Sequence, residues 1–378
     1  MSRLRQHSIL AAAAACGLLI AGGAQAQTME LKLTTASGPK SAFTTQGHQV
    51  FVDAVEKASN GQIKIRMFVG GTLLNYKATL NGLRDQVADI GFIVSAYFPA
   101  ELKNANMVAD LAMLGTSASV MAAATTEFNL LHCGDCLKEL AAQGAVDLGT
   151  TSNPPDRILS RKPIRTLDDM KGVKLRAGAG VWNRFLTHFG ATPVSMAADE
   201  IYQAMSAGAA DGTIHPPANM KSYAYWDVAK YVTMADLGTF HSMSFIAFSK
   251  STWSKLTPAQ RRIMLDNAAS AHAGTAVGAT AQDDEAIAES KSKGVTIITM
   301  PPDMAKAFRD WAINDLKVVA ELNEKAGVTN ASAKIAKFNE LYDKWTKIIG
   351  SNDKDPVFIA AAMKREIFDK IDAGAHGM

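Results

Sequence analysis

The chain lacks several features that large classes of proteins require. Of its 378 residues only three are cysteines and 7% are aromatic, and its 39 basic and 36 acidic residues nearly cancel. Because there is no basic excess and no long lysine or arginine run, nothing favours nucleic acid as a partner. Metalloprotease, serine-hydrolase and Walker motifs are also missing, so we expect neither an enzyme nor a bound cofactor or metal.

Long apolar stretches are scarce as well, and the one at the N-terminus has the form of a secretory signal. Arg3 and Arg5 precede an apolar segment of small residues (9–24), and Ala24-Gln25-Ala26 resembles a cleavage site. Cys16 lies in the apolar segment without the upstream leucine of a lipoprotein signal. No further stretch of about 20 apolar residues could span a membrane. We therefore expect an exported chain of 352 residues (378 − 26).

Two cysteines remain in the exported part, Cys133 and Cys136. In an oxidising compartment a local disulfide, or a pair of buried thiols, is the simplest interpretation. A thioredoxin-like redox site would need a preceding strand, whereas residues 119–131 have helical spacing. A zinc site would need a second pair of ligands, which the sequence does not offer. The disulfide is the main expectation, and the redox and metal sites stay open.

Apolar periodicity predicts alternating strands and helices in the first part of the exported chain. Gly and Pro breakers separate the segments. This β-α-β-α-β order implies parallel strands with right-handed crossovers, and ligands on such sheets bind beyond the carboxyl ends of the strands. The predicted strands are residues 30–34, 63–68 and 89–94, and the predicted helices are residues 43–58 and 78–87.

The same order restarts after Pro154-Pro155, and a strand at 243–248 indicates a return to the first unit. A long Ala-rich helix (258–293) and a strand (295–298) follow, and the rest is helical. We therefore expect an α/β fold with two βαβ lobes. The predicted divisions are lobe I (27–150), lobe II (151–239), a return to lobe I with the long helix (240–290), and the completion of lobe II with C-terminal helices (291–378).

The most informative single residue is Arg176, at the end of a predicted strand (173–176). An arginine there presents a planar fork of donors that can grip a carboxylate through two parallel hydrogen bonds. On residue type alone, an internal ion pair with Asp168 or Asp211 would be the more ordinary use of this side chain. The residues on either side of Arg176 favour the binding of a ligand carboxylate instead.

These flanking residues resemble the solute-binding subunits of tripartite ATP-independent periplasmic (TRAP) transporters, the DctP family. The resemblance implies a periplasmic-binding-protein-like Venus flytrap, with crossing segments and a long helix spanning both lobes. It also implies a periplasmic receptor in which Arg176 holds the carboxylate of a small organic acid, which the receptor delivers to the small and large membrane subunits. It rests on residues 165–176, 189–194, 199–205 and 208–212, in this order and spacing.

The resemblance points to further positions in lobe II. His215 stands where the family often has a ligand-binding asparagine, and its imidazole can donate or accept near neutral pH. Packing in a proline-rich loop is the other interpretation of His215. Some members carry a second ligand arginine where a gap-free alignment places Asp156, with Arg157 next to it. Since a slip of one residue reverses a strand side chain, either one can face the ligand, and an acid there would favour an amine or several hydroxyls.

In lobe I, sialic-acid-binding members have a glutamate and an arginine at the positions of Val94 and Tyr97. The sequence therefore disfavours sialic acid and indicates a smaller or more apolar solute. The candidate contacts from this lobe are Thr35, Asn75, Tyr76, Ser95 and Tyr97, and Trp182, Phe240 and His241 are candidate walls of the cleft.

Two other functions remain compatible with the sequence. One is a receptor for an ATP-driven importer or a sensor kinase. The other is an exported thiol oxidoreductase that works through Cys133 and Cys136. The sequence names neither the acid nor the oligomeric state.

Overall fold

The computed structural model describes residues 28–378, so the predicted signal segment lies outside the described residues. Within that part of the chain eleven strands form two separate sheets. The strands are β1 (Met29–Thr34), β2 (Ile63–Phe68), β3 (Ile90–Val94), β4 (Ala145–Asp147), β5 (Arg157–Ser160), β6 (Lys174–Arg176), β7 (Thr192–Val194), β8 (Gly212–His215), β9 (Tyr231–Thr233), β10 (Met243–Ser249) and β11 (Thr296–Ile298).

Helices surround both sheets. A π-helical segment (Phe43–His48) leads directly into the first of them, and single 3₁₀ turns include Ser95–Tyr97. The α-helices of the described residues are α1 (Gln49–Ala58), α2 (Tyr76–Arg84), α3 (Lys103–Ala109), α4 (Ala118–Glu127), α5 (Gly134–Ala142), α6 (Gly180–His188), α7 (Ile201–Ser206), α8 (Asn219–Ser222), α9 (Lys250–Lys255), α10 (Pro258–Glu289), α11 (Pro302–Lys325), α12 (Ala331–Ile349) and α13 (Pro356–Glu366).

The first sheet has the strand order β2-β1-β3-β10-β4. β1 pairs in parallel with both β2 and β3, as the β-α-β-α-β pattern predicts. All five residues of β3 are buried, which fits its continuous apolar sequence and its place in the middle of the sheet. β10 returns to this sheet and pairs antiparallel with β3 and β4.

The second sheet has the strand order β11-β9-β5-β8-β6-β7. β6 pairs in parallel with β7 and β8, whereas β5 runs antiparallel to β8 and β9. The register places Arg157, the first residue of β5, opposite His215, the last residue of β8. The start of β5 and the ends of β6 and β8 therefore lie at one edge of the sheet.

The long helix α10 is well defined at its start. Thr257 and Gln260 form a reciprocal capping box, and Pro258 occupies the first helical turn. Two glycines let the helix pass close to the π-helical segment, because a Cβ at Gly274 would lie 2.4 Å from the Gln46 carbonyl oxygen and one at Gly278 would lie 2.7 Å from the Gln46 side chain. These glycines serve close packing and do not break the helix.

The C-terminal helices attach to different parts of the molecule. β11 joins the second sheet, and α11 packs against α6. α12 packs against α4, and α13 packs against α10, next to the first sheet. Among residues 28–378, no helix is both long and apolar enough to cross a bilayer.

Candidate functional site

A cavity lies between the two sheets, at the edges where their strands end. It encloses about 590 Å³ of space that no protein atom fills, counting the open solvent around it. Tyr97 follows β3, and Arg176 and His215 end β6 and β8. The cavity thus occupies the position beyond the strand ends where α/β sheets bind ligands.

Arg176 is the central polar side chain of the cavity wall and is 3% exposed. Its Nε donates to the Met196 carbonyl oxygen (3.1 Å), and its Nη2 donates to the Tyr97 hydroxyl (2.9 Å). Its Nη1 lies 3.2 Å from Nε2 of His215. A guanidinium has five N–H groups, so these three contacts leave one on each Nη nitrogen unused.

None of these partners of Arg176 carries a negative charge. The two carboxylates that the sequence offered as internal partners are engaged elsewhere: Asp168 pairs with Lys171 (2.7 Å), and Asp211 accepts a hydrogen bond from the Lys174 backbone N–H (2.9 Å). Among the described residues no carboxylate oxygen lies within 4 Å of the guanidinium of Arg176. A buried cation without a counter-charge is costly, so this arrangement favours an external anion.

Gly178 leaves room in front of the guanidinium. A Cβ at this position would lie 3.3 Å from Nη1 and 3.6 Å from Nη2 of Arg176. Both nitrogens that retain an unused N–H therefore face the space that a side chain here would fill. Gly178 was not among the residues predicted from the sequence, although its place two residues after a strand-terminal arginine is a signal that could have found it.

Tyr97 connects the two sides of the cavity. Its hydroxyl oxygen accepts hydrogen bonds from Arg176 Nη2 and from the Ala198 backbone N–H, both at 2.9 Å. Since both contacts use the oxygen as acceptor, the hydroxyl proton remains available to a third group. Burial raises the pKa of Tyr97, even though Arg176 lowers it, so the phenol stays protonated at neutral pH.

The hydrogen bond to Arg176 fixes the protonation of His215. Arginine can only donate, so Nε2 of His215 must carry a lone pair and Nδ1 must carry the proton. Burial, assisted by the charge of Arg176, holds the pKa of His215 well below 6.5, which agrees with a neutral ring. Nδ1 is buried and has no hydrogen-bond partner among the described residues.

The structure places Asp156 and Arg157 on different sides of β5. Asp156 is 1% exposed and lines the cavity. The guanidinium of Arg157 instead contacts the carbonyl oxygens of Asp156 and Ala235 and the carboxylate of Asp236 (3.4 Å). Burial raises the pKa of Asp156 well above 3.8, although Arg176 and Arg157 lower it.

Aromatic and aliphatic side chains form the rest of the wall. Phe43 stacks on Phe92 (ring centroids 5.6 Å apart), and Trp182 lies beside Phe240 (6.0 Å). At the mouth, the hydroxyl of Tyr76 lies 3.0 Å from that of Tyr223, which joins the two lobes. Residues of the lining that the sequence analysis did not name include Ser37, Ser41, Phe43, Phe92, Asn153, Gly178, Asn219, Tyr223 and Met243.

Four other predicted contacts do not line the cavity. Thr35 accepts a hydrogen bond from the Ser37 backbone N–H, and the exposed Asn75 caps the start of α2. The carbonyl of Ser95 accepts from Asn106, and the buried ring of His241 contacts the carbonyl oxygens of Thr239 and Val108. The side-chain polar atoms of Thr35, Asn75 and His241 thus contact backbone groups of lobe I rather than the open space of the cavity.

A disulfide joins Cys133 and Cys136 at the start of α5. Both residues are buried, with 1% and 3% of their surface exposed, and they belong to the main apolar core. The preceding segment is helical (α4 and Phe128–His132), so the strand that a thioredoxin-like site requires does not precede it. Among the described residues, no group of three or more His, Cys, Asp or Glu side chains could hold a metal ion.

Comparisons with known proteins agree with this geometry. The sequence model of the bacterial extracellular solute-binding proteins, family 7 (DctP), matches residues 35–322. The chain is 27% identical to the 2,3-diketo-L-gulonate-binding periplasmic protein YiaO of Escherichia coli, over 79% of this chain and 91% of that protein. It is 25% identical to the C4-dicarboxylate-binding periplasmic protein DctP of Rhodobacter capsulatus, over 76% and 85%.

Solved structures with similar folds are also TRAP solute-binding proteins. One from Rhodoferax ferrireducens, in complex with copurified benzoate, has a TM-score of 0.75 at 23% identity and covers 85% of this chain and all of that one. A marine metagenome protein with 3-hydroxybenzoate has a TM-score of 0.75 at 20% identity, over 84% and 99%. These similarities confirm the predicted two-lobed α/β fold.

Proposed function

The chain belongs to the bacterial extracellular solute-binding proteins of family 7 (DctP), and from this premise we propose that it is the receptor of a TRAP transporter for a small organic acid. The receptor captures the acid in the cavity between its lobes and delivers it to the small and large membrane subunits. Family members are periplasmic, and the N-terminal sequence supports export of this chain to the same compartment.

The buried guanidinium of Arg176 is the observation that carries this proposal. It has no carboxylate partner among the described residues, and each Nη nitrogen retains an unused N–H. The space in front of them is open because residue 178 is glycine. A ligand carboxylate placed there would form two charge-assisted hydrogen bonds and would neutralise the buried cation.

The neighbours of Arg176 extend this carboxylate site. Tyr97 belongs to lobe I and offers its hydroxyl proton, while His215 belongs to lobe II and keeps Arg176 in place through Nε2. Because Tyr97 contacts Arg176 and Ala198 across the cavity, we infer that the lobes close around the bound acid. Closure excludes water, and the Arg-carboxylate attraction is stronger in the resulting lower dielectric.

The walls favour an acid with an apolar body. Phe43, Phe92, Trp182 and Phe240 supply flat apolar surfaces on several sides. The similar proteins that hold benzoate and 3-hydroxybenzoate give independent support for acids of this kind. We therefore propose a small monocarboxylate with an aromatic or compact aliphatic body, and not a sialic acid.

The alternatives have less support. A receptor for an ATP-driven importer or a sensor would use the same carboxylate site, but the similar solved structures are TRAP solute-binding proteins. A thiol oxidoreductase would need an accessible sulfur, whereas Cys133 and Cys136 are buried and joined. The family relatives are binding proteins, and we propose no catalytic residue.

Matched acids and amides test the carboxylate site directly. We expect that a member of a carboxylic acid library, including benzoate, raises the melting temperature of the mature protein, while its neutral amide does not. Gly178→Ala should weaken the binding of that acid at least tenfold, because the new methyl group lies against both Nη nitrogens. Gly134→Ala is the matched control, since a Cβ there meets nothing within 4 Å. Equal effects of acids and amides would contradict the proposal.

A further inference from the structure

One charged group in the cavity wall is not needed to hold a carboxylate. Asp156 is 1% exposed, and its backbone is fixed by hydrogen bonds with Gly238 and Leu237. Its carboxyl oxygen Oδ1 is enclosed by protein and has no hydrogen-bond partner among the described residues, so a ligand in the cavity would approach the group from the Oδ2 side. The neighbouring Arg157 does not pair with this carboxyl group, because its guanidinium reaches the Asp236 carboxylate instead. The backbone thus holds in the cavity a carboxyl group that the protein itself leaves unsatisfied.

An unsatisfied buried carboxyl group is unfavourable, because burial removes the hydrogen bonds that water would otherwise supply. The positive charges of Arg176 and Arg157 lower the pKa of Asp156, whereas the negative charge of Asp283 on α10 raises it. Asp283 itself accepts a hydrogen bond from the Ala218 backbone N–H, so its carboxylate is occupied. A group from outside the protein would therefore satisfy Asp156 without competition from a neighbour.

Three other polar side chains of the cavity retain unused donors, and the amide side chains of Asn153 and Asn219 also line it. Arg176 retains two N–H groups, Tyr97 retains its hydroxyl proton, and His215 has an unpaired Nδ1–H. These donors match the carboxylate of the ligand. Asp156 is the one acidic side chain among the residues that line the cavity in the described chain. The cavity thus has a donor end and an acceptor group, and a ligand that satisfies both needs an acid and a hydrogen-bond donor.

This inference rests on the proposed function and concerns the rest of the ligand. We propose that Asp156 is a specificity-determining residue that accepts a hydrogen bond from an ammonium or hydroxyl group of the bound acid. The preferred solute is then an acid that carries such a donor on its apolar body. A plain acid of the same shape leaves Asp156 unsatisfied and binds more weakly, because sites built to hydrogen-bond a ligand group reject analogues that lack it.

The ligands themselves provide the first test, which needs no variant. The probes are two matched sets: benzoate with its 3-hydroxy, 3-aminomethyl and 3-formyl derivatives, and butanoate with its 4-hydroxy, 4-amino and 4-oxo derivatives. In at least one set, calorimetry with the mature protein should show tenfold tighter binding of a donor-bearing acid than of the parent acid. The carbonyl derivatives should show no such gain. The hydroxyl and amine members identify the donor.

Two variants then assign the preference to Asp156. Asp156→Asn should abolish a preference for the ammonium acid, because the charge is lost. Asp156→Ala should reduce any donor preference to less than threefold, while the parent acid still binds. Asp236→Ala is the control, since it removes an exposed carboxylate that pairs with Arg157 and does not line the cavity, and it should keep the preference.

The outcomes separate this inference from the function on which it rests. If none of the eight acids binds, both are overturned. If the parent acids bind as tightly as the donor-bearing ones, or if Asp156→Ala keeps the full preference, the inference about Asp156 fails while the acid receptor stands. A preference for the carbonyl derivatives would also overturn it, because Asp156 would then be a donor.

Discussion

Two arginines of lobe II, Arg176 and Arg184, meet their surroundings in opposite ways. Arg184 on α6 donates to both carboxylate oxygens of Asp315 (2.9 and 2.7 Å) and to Asp110 (3.0 Å). Asn323 completes this cluster by donating to Asp110 (3.0 Å). Arg176, more deeply buried, contacts only neutral groups.

The partners of the two guanidinium groups suggest different roles. Arg184 is a structural arginine with carboxylate partners inside the protein, whereas we propose that the carboxylate partner of Arg176 comes from the ligand. At Arg184 the charges balance within the protein, and the cluster ties α6 to α3 and α11. At Arg176 no carboxylate of the described residues lies within ion-pair distance, and under our proposal the bound acid supplies one. Burial of an arginine therefore does not reveal its role, but the charge of its partners does.

The largest expected effect is on affinity at Arg176. Arg176→Met should weaken binding of the acid identified by thermal shift at least tenfold, about 1.4 kcal/mol, and up to the roughly 3 kcal/mol of a charged hydrogen bond. Isothermal calorimetry measures this change. The control is Arg165→Met, since Arg165 is exposed and outside the cavity. If Arg176→Met bound the acid as tightly as the wild type does, Arg176 would not hold the ligand carboxylate.

Arg184→Met should act on stability instead of affinity. It leaves Asp110 and Asp315 without their counter-charge, and we expect a loss of about 2 kcal/mol in the free energy of unfolding, reduced from the value for fully buried pairs because the side chain is 29% exposed. Urea denaturation measures the loss. Removing both carboxylates as well (Asp110→Asn, Asp315→Asn) should restore most of it. If Arg184→Met weakened ligand binding more than Arg176→Met does, the roles assigned to the two arginines would be wrong.

Tyr97→Phe tests the contact between the lobes at the cavity. The variant loses the acceptor of Arg176 Nη2 and of the Ala198 N–H, so we expect about fivefold weaker binding, near 1 kcal/mol. The matched control is Tyr202→Phe on α7, outside the cavity lining. Equal affinities for wild type and Tyr97→Phe would show that closure does not depend on this hydroxyl.

The smallest effect concerns pH. Because burial lowers the pKa of His215, the closed form keeps this ring neutral, while exposure in an open cleft returns its pKa toward 6.5. The open form then binds more protons than the closed form below about pH 6.5, so acidification weakens binding there and leaves it unchanged above pH 7.

His215→Gln isolates this contribution. The amide can still accept from Arg176, so affinity at pH 7 should fall less than threefold and the decline below pH 6.5 should shrink. Titrations at several pH values compare the two proteins, and Asp156 contributes equally to both. If wild-type affinity fell instead as pH rises from 6 to 8, His215 would act as a charged donor.

Much of the fold follows from local patterns. The predicted bounds of β2 (63–68) agree with the structure to the residue, and the long helix α10 begins at Pro258 as predicted. The short strands β4 and β9 and the helix α5 were not predicted. Three-residue strands carry too little periodicity, and they exist because neighbouring strands offer them hydrogen bonds.

The site, too, could be predicted from the sequence only in part. The pattern around Arg176 predicts a carboxylate-binding arginine, and the two candidate carboxylates Asp168 and Asp211 turn out to have other partners. The sequence left open whether Asp156 or Arg157 faces the cavity, and in the structure it is Asp156 that lines it. Thr35, Asn75, Ser95 and His241 lie near strand ends in sequence but do not line the cavity, and the side chains of Thr35, Asn75 and His241 contact backbone groups instead.

The sequence by itself determined the order of strands and helices, the family, and an arginine at a strand end, because these depend on periodicity and on residues close together in the chain. Only the tertiary structure decided which charges lack a partner. Whether a buried group is satisfied depends on atoms from distant segments, such as Tyr97 beside Arg176, and on the side of β5 to which Asp156 points. That three-dimensional balance of donors, acceptors and charges is the basis on which we propose a carboxylate ligand.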